Sequence, residues 1–279
     1  FAVYTSGSTG NPKGVLHEYG NVDRAAETDL TMTGCALISP LNVVAAIIIG
    51  TSVLHDGGTL FVIPYSVVKD PSAVRECFVR YGITQTLCAP SVFHLFRDIP
   101  SLELIIVASE PAYGIRSDDP KLQVYNFYGM SESAFVIAYK KLDEPNEISP
   151  IGRACPGVVI TLRDEEGKPV PDGEEGELCF GNPYVRGYIG LPEQTARTFA
   201  NGETRTGDLA KRLENGDYVV LGRIDDMIKI NGNRVEPAEV EAAVRKVTGL
   251  KQVMAKGFSE GSAAYVCLYY TDDVKIDAA

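Results

Sequence analysis

Residues 4–14 read Tyr4-Thr5-Ser6-Gly7-Ser8-Thr9-Gly10-Asn11-Pro12-Lys13-Gly14, directly behind the apolar run Phe1-Ala2-Val3. Four small hydroxyl side chains, three glycines and one lysine after a strand-like run point to a phosphate loop. Glycines let backbone N–H groups converge on an anion, hydroxyls add donors, and an ammonium offsets charge. Taken alone, the stretch also reads as a polar turn, since Ser and Gly are common turn residues. It fails the Walker A pattern, because Gly14 stands where a hydroxyl residue should follow the lysine.

The rest of the chain sets limits on what such a loop serves. With 279 residues, 45% hydrophobic and 23% charged, the composition is that of an ordinary globular protein, large enough for one big domain or a domain with an appendage. A net charge of −11 argues against nucleic acid or an anionic membrane as partner, so any bound anion needs a local device. Cys35, Cys77, Cys88, Cys155, Cys179 and Cys267 are widely spaced with no C-x-x-C pair, which indicates neither a disulfide framework nor a zinc site and suits a reduced, cytoplasmic setting. His17, His55 and His94 stand alone in sequence and are assigned ordinary structural roles. The longest apolar run, Val43 to Ile49, is far short of the roughly 20 residues of a membrane span and reads as core. Phe1 opens inside a strand-like run, so the sequence is expected to be a piece of a longer chain.

Up to about residue 135 short apolar runs alternate with helical stretches, the pattern of a mostly parallel α/β sheet. Asp70-Pro71 is a helix start, Val74, Cys77, Phe78 and Tyr81 recur at helical spacing, and Gly82 is a stop. Thr84–Cys88, Leu104–Val107 and Val124–Phe127 read as buried strands whose following turns are candidate site loops, since open α/β sheets bind ligands beyond their carboxyl ends. From about 150 to 222 the chain turns β-rich, and the charge run Asp164 to Glu177 reads as a solvated turn. A smaller unit over 223–279 follows: a strand at Met227–Ile230, a turn at Asn231-Gly232, a helix from Pro237 with Val240, Ala243, Val244 and Val247 on one face, and two more strands.

Two further stretches carry chemistry. Asn126-Phe127-Tyr128-Gly129-Met130-Ser131-Glu132 ends a strand in an aromatic that can stack on a base and a carboxylate of the kind that holds a divalent cation. Arg205-Thr206-Gly207-Asp208-Leu209 offers a turn carboxylate able to accept hydrogen bonds from a ribose diol, though an Asp that merely caps a turn reads the same way.

In this order the pieces resemble the adenylate-forming superfamily: acyl-CoA synthetases, adenylation domains of nonribosomal peptide synthetases, and luciferases. YTSGSTGNPKG is similar to its phosphate loop, NFYGMSE to its aromatic-Gly-x-Thr-Glu motif, and RTGDL to its ribose motif. GELCFGNPYVRGYIGLPEQTARTF resembles its Gly-Glu-Leu and Arg-Gly-Tyr stretch, and GRIDDMIKINGNRVEPAEVE its hinge segment. The fold so implied is the large α/β domain, over 1–222, followed by the start of a small C-terminal α+β domain beyond a hinge at Asp225.

The resemblance also implies roles. Thr5, Ser6, Gly7, Ser8, Thr9, Gly10 and Lys13 would close on the β- and γ-phosphates of ATP. Ser109, Glu110 and Pro111, which with Ala108 match the family's Gly-Gly-Glu-Ala, would lie along the adenine, Asn126 would hydrogen-bond the base, and Tyr128, set between Phe127 and Gly129, would stack on it. Ser131, where the family usually has Thr, would contact the α-phosphate, and Glu132 would hold Mg²⁺. Asp208 and Arg223 would grip the ribose, with Lys229 and Arg234 near the nucleotide in one or other orientation of the small domain.

The implied reaction joins a carboxylic acid to AMP, releases pyrophosphate, and passes the acyl group to a thiol of CoA or of a phosphopantetheinyl carrier protein. Because two anions must meet, charge neutralisation and alignment carry the rate. Two departures qualify this. The family's bridging lysine lies beyond Ala279, so little turnover is expected of these residues alone, and a nucleotide-binding remnant without catalysis is the rival reading. Leu41-Asn42-Val43-Val44-Ala45 stands where amino-acid-activating relatives carry an aspartate and many CoA ligases an aromatic-His pair, and without a carboxylate for an α-ammonium the resemblance implies an uncharged acyl or aryl acid. A luciferase-like oxygenase shares every motif named.

Overall fold

The fold is read from a computed structural model describing residues 1–5, 12–25, 28–144, 148–224, 228–230, 233–235, 237–250, 252–260 and 263–271. The first half runs β1 (Ala2–Thr5), β2 (Lys13–His17), α1 (Gly20–Ala25), β3 (Gly34–Leu37), α2 (Val44–His55), β4 (Thr59–Val62), the single turn α3 (Tyr65–Val68), α4 (Pro71–Tyr81) and β5 (Gln85–Cys88). A 3-10 turn at Pro90–Leu95, then β6 (Leu104–Ala108) and β7 (Gln123–Tyr128), complete it. There follow β8 (Ala138–Lys141), β9 (Pro150–Ala154), β10 (Ile160–Arg163), β11 (Glu175–Gly181), β12 (Val185–Tyr188), α5 (Pro192–Thr198), β13 (Phe199–Ala200), β14 (Glu203–Arg212) and β15 (Tyr218–Arg223). The chain closes with β16 (Ile228–Ile230), β17 (Asn233–Val235), α6 (Pro237–Thr248), β18 (Val253–Glu260) and β19 (Ala263–Tyr270).

Helix α4 shows why local sequence suffices here. The Asp70 carboxylate accepts the N–H groups of Ser72 and Ala73 at 2.9 and 3.4 Å, satisfying donors that the first turn leaves without partners. Its Val74 and Phe78 are buried against Phe96, Ile105 and Val107 in the main core. The expected face is narrower than its periodicity, since Tyr81 is exposed on the surface. Likewise in α6, Val247 is 85% exposed although it shares the helical spacing of the apolar stripe. Periodicity marks a face, but only a covering element buries it.

The large sheet is mixed. Strands β4, β3, β5, β6 and β7 lie side by side in parallel, so that Cys88 pairs with Val107 and Val107 with Asn126. Their carboxyl ends therefore align. After β7 the chain reverses, and β8 and β9 continue the sheet antiparallel. The link between Tyr128 and Ala138 is shorter than the dozen or so residues that a parallel crossover needs, so reversal is the only pairing available. The β-rich stretch thus extends the same sheet, through β15, β14, β11 and β10. Strand β2 stands between β1 and β12 in a separate sheet of three strands.

The chain divides into two compact units, one of Phe1–Thr161, Cys179–Thr206 and Arg212–Val219, the other of Leu162–Leu178, Gly207–Lys211 and Val220–Ala279. In the second, Glu241 of α6 accepts the Ala255 N–H at 2.9 Å and the Arg245 guanidinium at 2.8 Å, fastening the helix to β18. The hairpin β18–β19 pairs from Val253↔Tyr270 to Glu260↔Ala263. The turn at Asn231-Gly232 and the hinge at Asp225 lie outside the described residues.

None of the six cysteines is in a disulfide. Burial pushes the Cys35 thiol up to about 12, and burial with the Glu110 charge does the same for Cys88. In the native chain at pH 8, a charged thiol reagent is therefore expected to label the half-buried Cys77 and Cys267 first; early modification of Cys35 or Cys88, read by peptide mass, would count against this packing. Phe78→Ala is expected to cost about 3–5 kcal/mol in urea unfolding, and Tyr81→Ala less than about 1 kcal/mol. Similar losses for the two would contradict the assignment of the buried face.

Candidate active site

The phosphate-loop stretch is flanked by β1 and β2. Strands β1 and β2 pair antiparallel from Ala2↔Leu16 to Thr5↔Lys13, so Thr5 and Lys13 are direct partners. Ser6, Gly7, Ser8, Thr9 and Gly10 lie outside the described residues. Lys13 begins β2, and its Nζ lies 5.3 Å from the centre of the Tyr188 ring.

Two of the expected loops meet at the aligned carboxyl ends of β6 and β7. Ser109, Glu110 and Pro111 form an exposed loop just beyond β6. Ser109 holds φ 75°, a left-handed backbone that favours glycine, the residue the family resemblance expects there. The Glu110 carboxylate accepts the Ser91 N–H at 3.0 Å and its hydroxyl at 3.2 Å, tying the loop to the 3-10 turn after β5. On β7, Asn126 is buried and its amide donates to the Pro150 carbonyl of β9 at 2.9 Å. Phe127 is buried, its ring centre 5.8 Å from that of Tyr139, and Tyr128 is half-buried at the end of the strand.

The reversal after Tyr128 is organised by Ser133, whose hydroxyl lies 2.8 Å from the Met130 carbonyl oxygen and 2.7 Å from that of Phe135. Ser131 and Glu132 sit inside this turn. Glu132 is 8% exposed. Its Oε1 accepts the Tyr188 hydroxyl at 2.7 Å, and among the described residues no partner reaches Oε2. The backbone of the pair is held as well. His17 Nε2–H donates to the Ser131 carbonyl at 2.9 Å, and Asn182 donates to the Glu132 carbonyl at 3.2 Å. Burial keeps the His17 imidazole below its ordinary pKa, so the ring is neutral at pH 7, with Nδ1 accepting from Asn21 at 2.7 Å.

The other pair of expected residues belongs to the second unit. There Arg223 donates to the Asp208 carboxylate at 2.9 Å. Gly207 stands beside them with φ 71°, and a Cβ built on it would lie 2.8 Å from the Arg223 guanidinium. Its N–H donates to Glu177 Oε1 at 3.0 Å. Glu177, the last residue of the charge run read as a solvated turn, is buried and anchors this turn instead. Lys229 and Arg234 are direct partners in the β16–β17 ladder, with side chains outside the described atoms.

Sequence reasoning missed His17, Asn182, Tyr188 and Glu177. Of these, Glu177, Asn182 and Tyr188 stood in a recognised stretch, the one beginning GEL and containing RGY, and His17 did not.

The donor set can be tested against Mg²⁺, which takes oxygen ligands, keeps several waters, and is held by one or two carboxylates together with substrate phosphates. Among the described residues there is no cluster of three or more His, Cys, Asp or Glu that could form a protein cage. A single anchored carboxylate with one unengaged oxygen fits a metal that arrives with phosphates.

Residues 1–189 match the family described as AMP-binding enzyme. The medium/long-chain-fatty-acid–CoA ligase FadD8 of Mycobacterium tuberculosis is 33% identical over 91% of this chain and 48% of its own length. Surfactin synthase subunit 2 of Bacillus subtilis is 29% identical over 100% of this chain and 9% of its own. Among solved structures, the amide bond synthetase McbA of Marinactinospora thermotolerans superposes with a TM-score of 0.83 at 23% identity, over 99% of this chain and 59% of that one. O-succinylbenzoate CoA synthetase of Bacillus subtilis, solved with ATP and magnesium ion, gives 0.81 at 22% identity, over 99% and 61%. These likenesses establish a mixed α/β fold with the large sheet of the adenylate-forming large domain. The chain, which spans about half the length of the fatty-acid ligase it matches, belongs to the AMP-binding, adenylate-forming enzyme family.

Proposed function

We propose that the chain is the nucleotide-binding part of a ligase that activates a carboxylic acid with ATP and passes the acyl group to a thiol. The observation that carries this is the buried Glu132 carboxylate, fixed at the carboxyl end of β7 with Oε2 unengaged and with the loop lysine gathered against the same tyrosine.

In the first half-reaction an acid oxygen bonds to the α-phosphorus of ATP, the bond to the bridging oxygen breaks, and pyrophosphate leaves. Lys13 neutralises charge on the leaving phosphates, with Thr5 to Gly10 supplying hydrogen bonds to them. The Ser131 hydroxyl meets the α-phosphate. When bound, Mg²⁺ would supply further charge neutralisation, and Glu132 would hold it. Tyr128 offers a ring face to the adenine beside the Ser109–Pro111 loop, while the Asn126 amide completes the base pocket from within the sheet. Asp208 and Arg223 take the ribose hydroxyls, an arrangement supported by the buried Glu177 that fixes the Gly207 turn. In the second half-reaction the sulfur of CoA or of a phosphopantetheinyl carrier attacks the acyl carbon and AMP leaves.

The small unit after Arg223, pivoting at Asp225, would bring Lys229 and Arg234 to the nucleotide in one orientation. Val43 and Leu41 are exposed beside the start of α2, and an uncharged acyl or aryl acid suits that apolar stretch. A cytoplasmic setting, with its ATP and thiol acceptors, is the one this chemistry needs.

The decisive assay is acid-dependent exchange of pyrophosphate into ATP, in a chain that also carries the adenylation lysine. Exchange with at least one acyl or aryl acid is expected, and none across a broad panel would overturn the reading. Binding separates the two halves of the nucleotide site. Lys13→Ala is expected to weaken ATP by about 10- to 100-fold while leaving AMP nearly unchanged, and Asp208→Asn to weaken both. Equal effects of Lys13→Ala on ATP and AMP in calorimetry would remove the lysine from the terminal phosphates.

A further inference from the structure

Tyr188 touches both charged groups of the phosphate end. Its hydroxyl donates to Glu132 Oε1 at 2.7 Å, and Lys13 Nζ lies 5.3 Å from the centre of its ring. No ion pair joins Lys13 to Glu132 among the described residues. A direct pair between them would consume the ammonium and the carboxylate together. A phenol prevents this without adding charge: one hydrogen bond satisfies one carboxylate oxygen, and the electron-rich ring face accommodates the cation.

The ring is fixed by its surroundings. The Tyr188 N–H donates to Thr195 Oγ1 at 2.9 Å, and the Thr195 hydroxyl donates in turn to the Leu191 carbonyl at 2.9 Å. Strand β12 pairs with β2 at Tyr188↔Val15, two residues from Lys13. The neighbouring Gly187 has φ 112°, and a Cβ there would lie 2.3 Å from Thr195 Cγ2, so only glycine lets β12 approach α5 this closely. The Phe199 ring centre lies 5.2 Å from that of Tyr188.

We infer that Tyr188 is a positioning residue that keeps Lys13 and Glu132 apart, so that the lysine stays available to the terminal phosphates and Glu132 Oε2 to their metal ion. This rests on the nucleotide reading above, which the test separates from it. The whole chain, its Tyr188→Phe variant and its Tyr188→Leu variant would be titrated with ATP by calorimetry, once with Mg²⁺ and once with a chelator. Tyr188→Phe keeps the ring and loses the hydroxyl. Metal-free affinity is expected to stay within about twofold, while the gain from Mg²⁺ falls about tenfold, the usual scale for losing an outer-shell partner of a metal ligand. Tyr188→Leu is expected to lose that gain and also about two- to fivefold of the metal-free affinity, the value of an exposed cation–π contact.

If Tyr188→Leu fails to fold, a double-mutant cycle of Tyr188→Phe with Glu132→Gln decides, since coupled losses are expected and additive ones overturn the inference. An unchanged Mg²⁺ gain in Tyr188→Phe, with the wild-type chain binding ATP normally, overturns this inference alone. A wild-type chain that binds ATP under neither condition overturns the nucleotide reading and this inference with it.

Discussion

The chain reversal between β7 and β8 is the constraint on which the candidate site depends. A parallel strand must end, and too few residues remain before Ala138 for a crossover. The turn that results carries Ser131 and Glu132, and it would be an ordinary surface loop without tethers. Distant segments supply them: His17 on β2 holds the Ser131 carbonyl, Asn182 the Glu132 carbonyl, and Tyr188 on β12 the carboxylate itself. A buried carboxylate needs such partners, because leaving it without them carries a large desolvation cost. The same three-stranded sheet that presents the lysine through β2 presents the tyrosine through β12, so lysine and carboxylate are organised by one piece of structure.

Much of this was legible in the sequence where signals are local. The Asp70 cap and the strands ending at Cys88, Ala108 and Tyr128 all follow from patterns within a dozen residues. The exposure of Tyr81 and Val247 was not legible, because helical spacing says which residues share a face and nothing about what covers it. The mixed character of the large sheet was hidden for a related reason, since pairing direction depends on how much chain is left to make the connection.

The site divides the same way. Motifs nominated the residues proposed to touch the nucleotide, because such residues lie close together in sequence on a few loops. Their supports were invisible. Tyr188 is separated from Glu132 by 56 positions, Ser131 from His17 by 114, and Gly207 from Glu177 by 30. Glu177 was doubly concealed, since it ends a run of charges that otherwise belongs to a solvated turn. Ser109 carries a conformation that its residue type does not announce, and only comparison with a glycine-bearing motif hinted at it.

The central claim is that Glu132 is the protein's ligand to a metal ion carried by the phosphates of ATP. Its most direct test is a crystal structure of this chain grown with ATP and Mn²⁺, in which anomalous scattering marks the metal unambiguously. A single metal peak within coordination distance of Glu132 and of phosphate oxygens is the expected result. A peak bound to the nucleotide but remote from Glu132, or nucleotide bound away from the turn after β7, would contradict it.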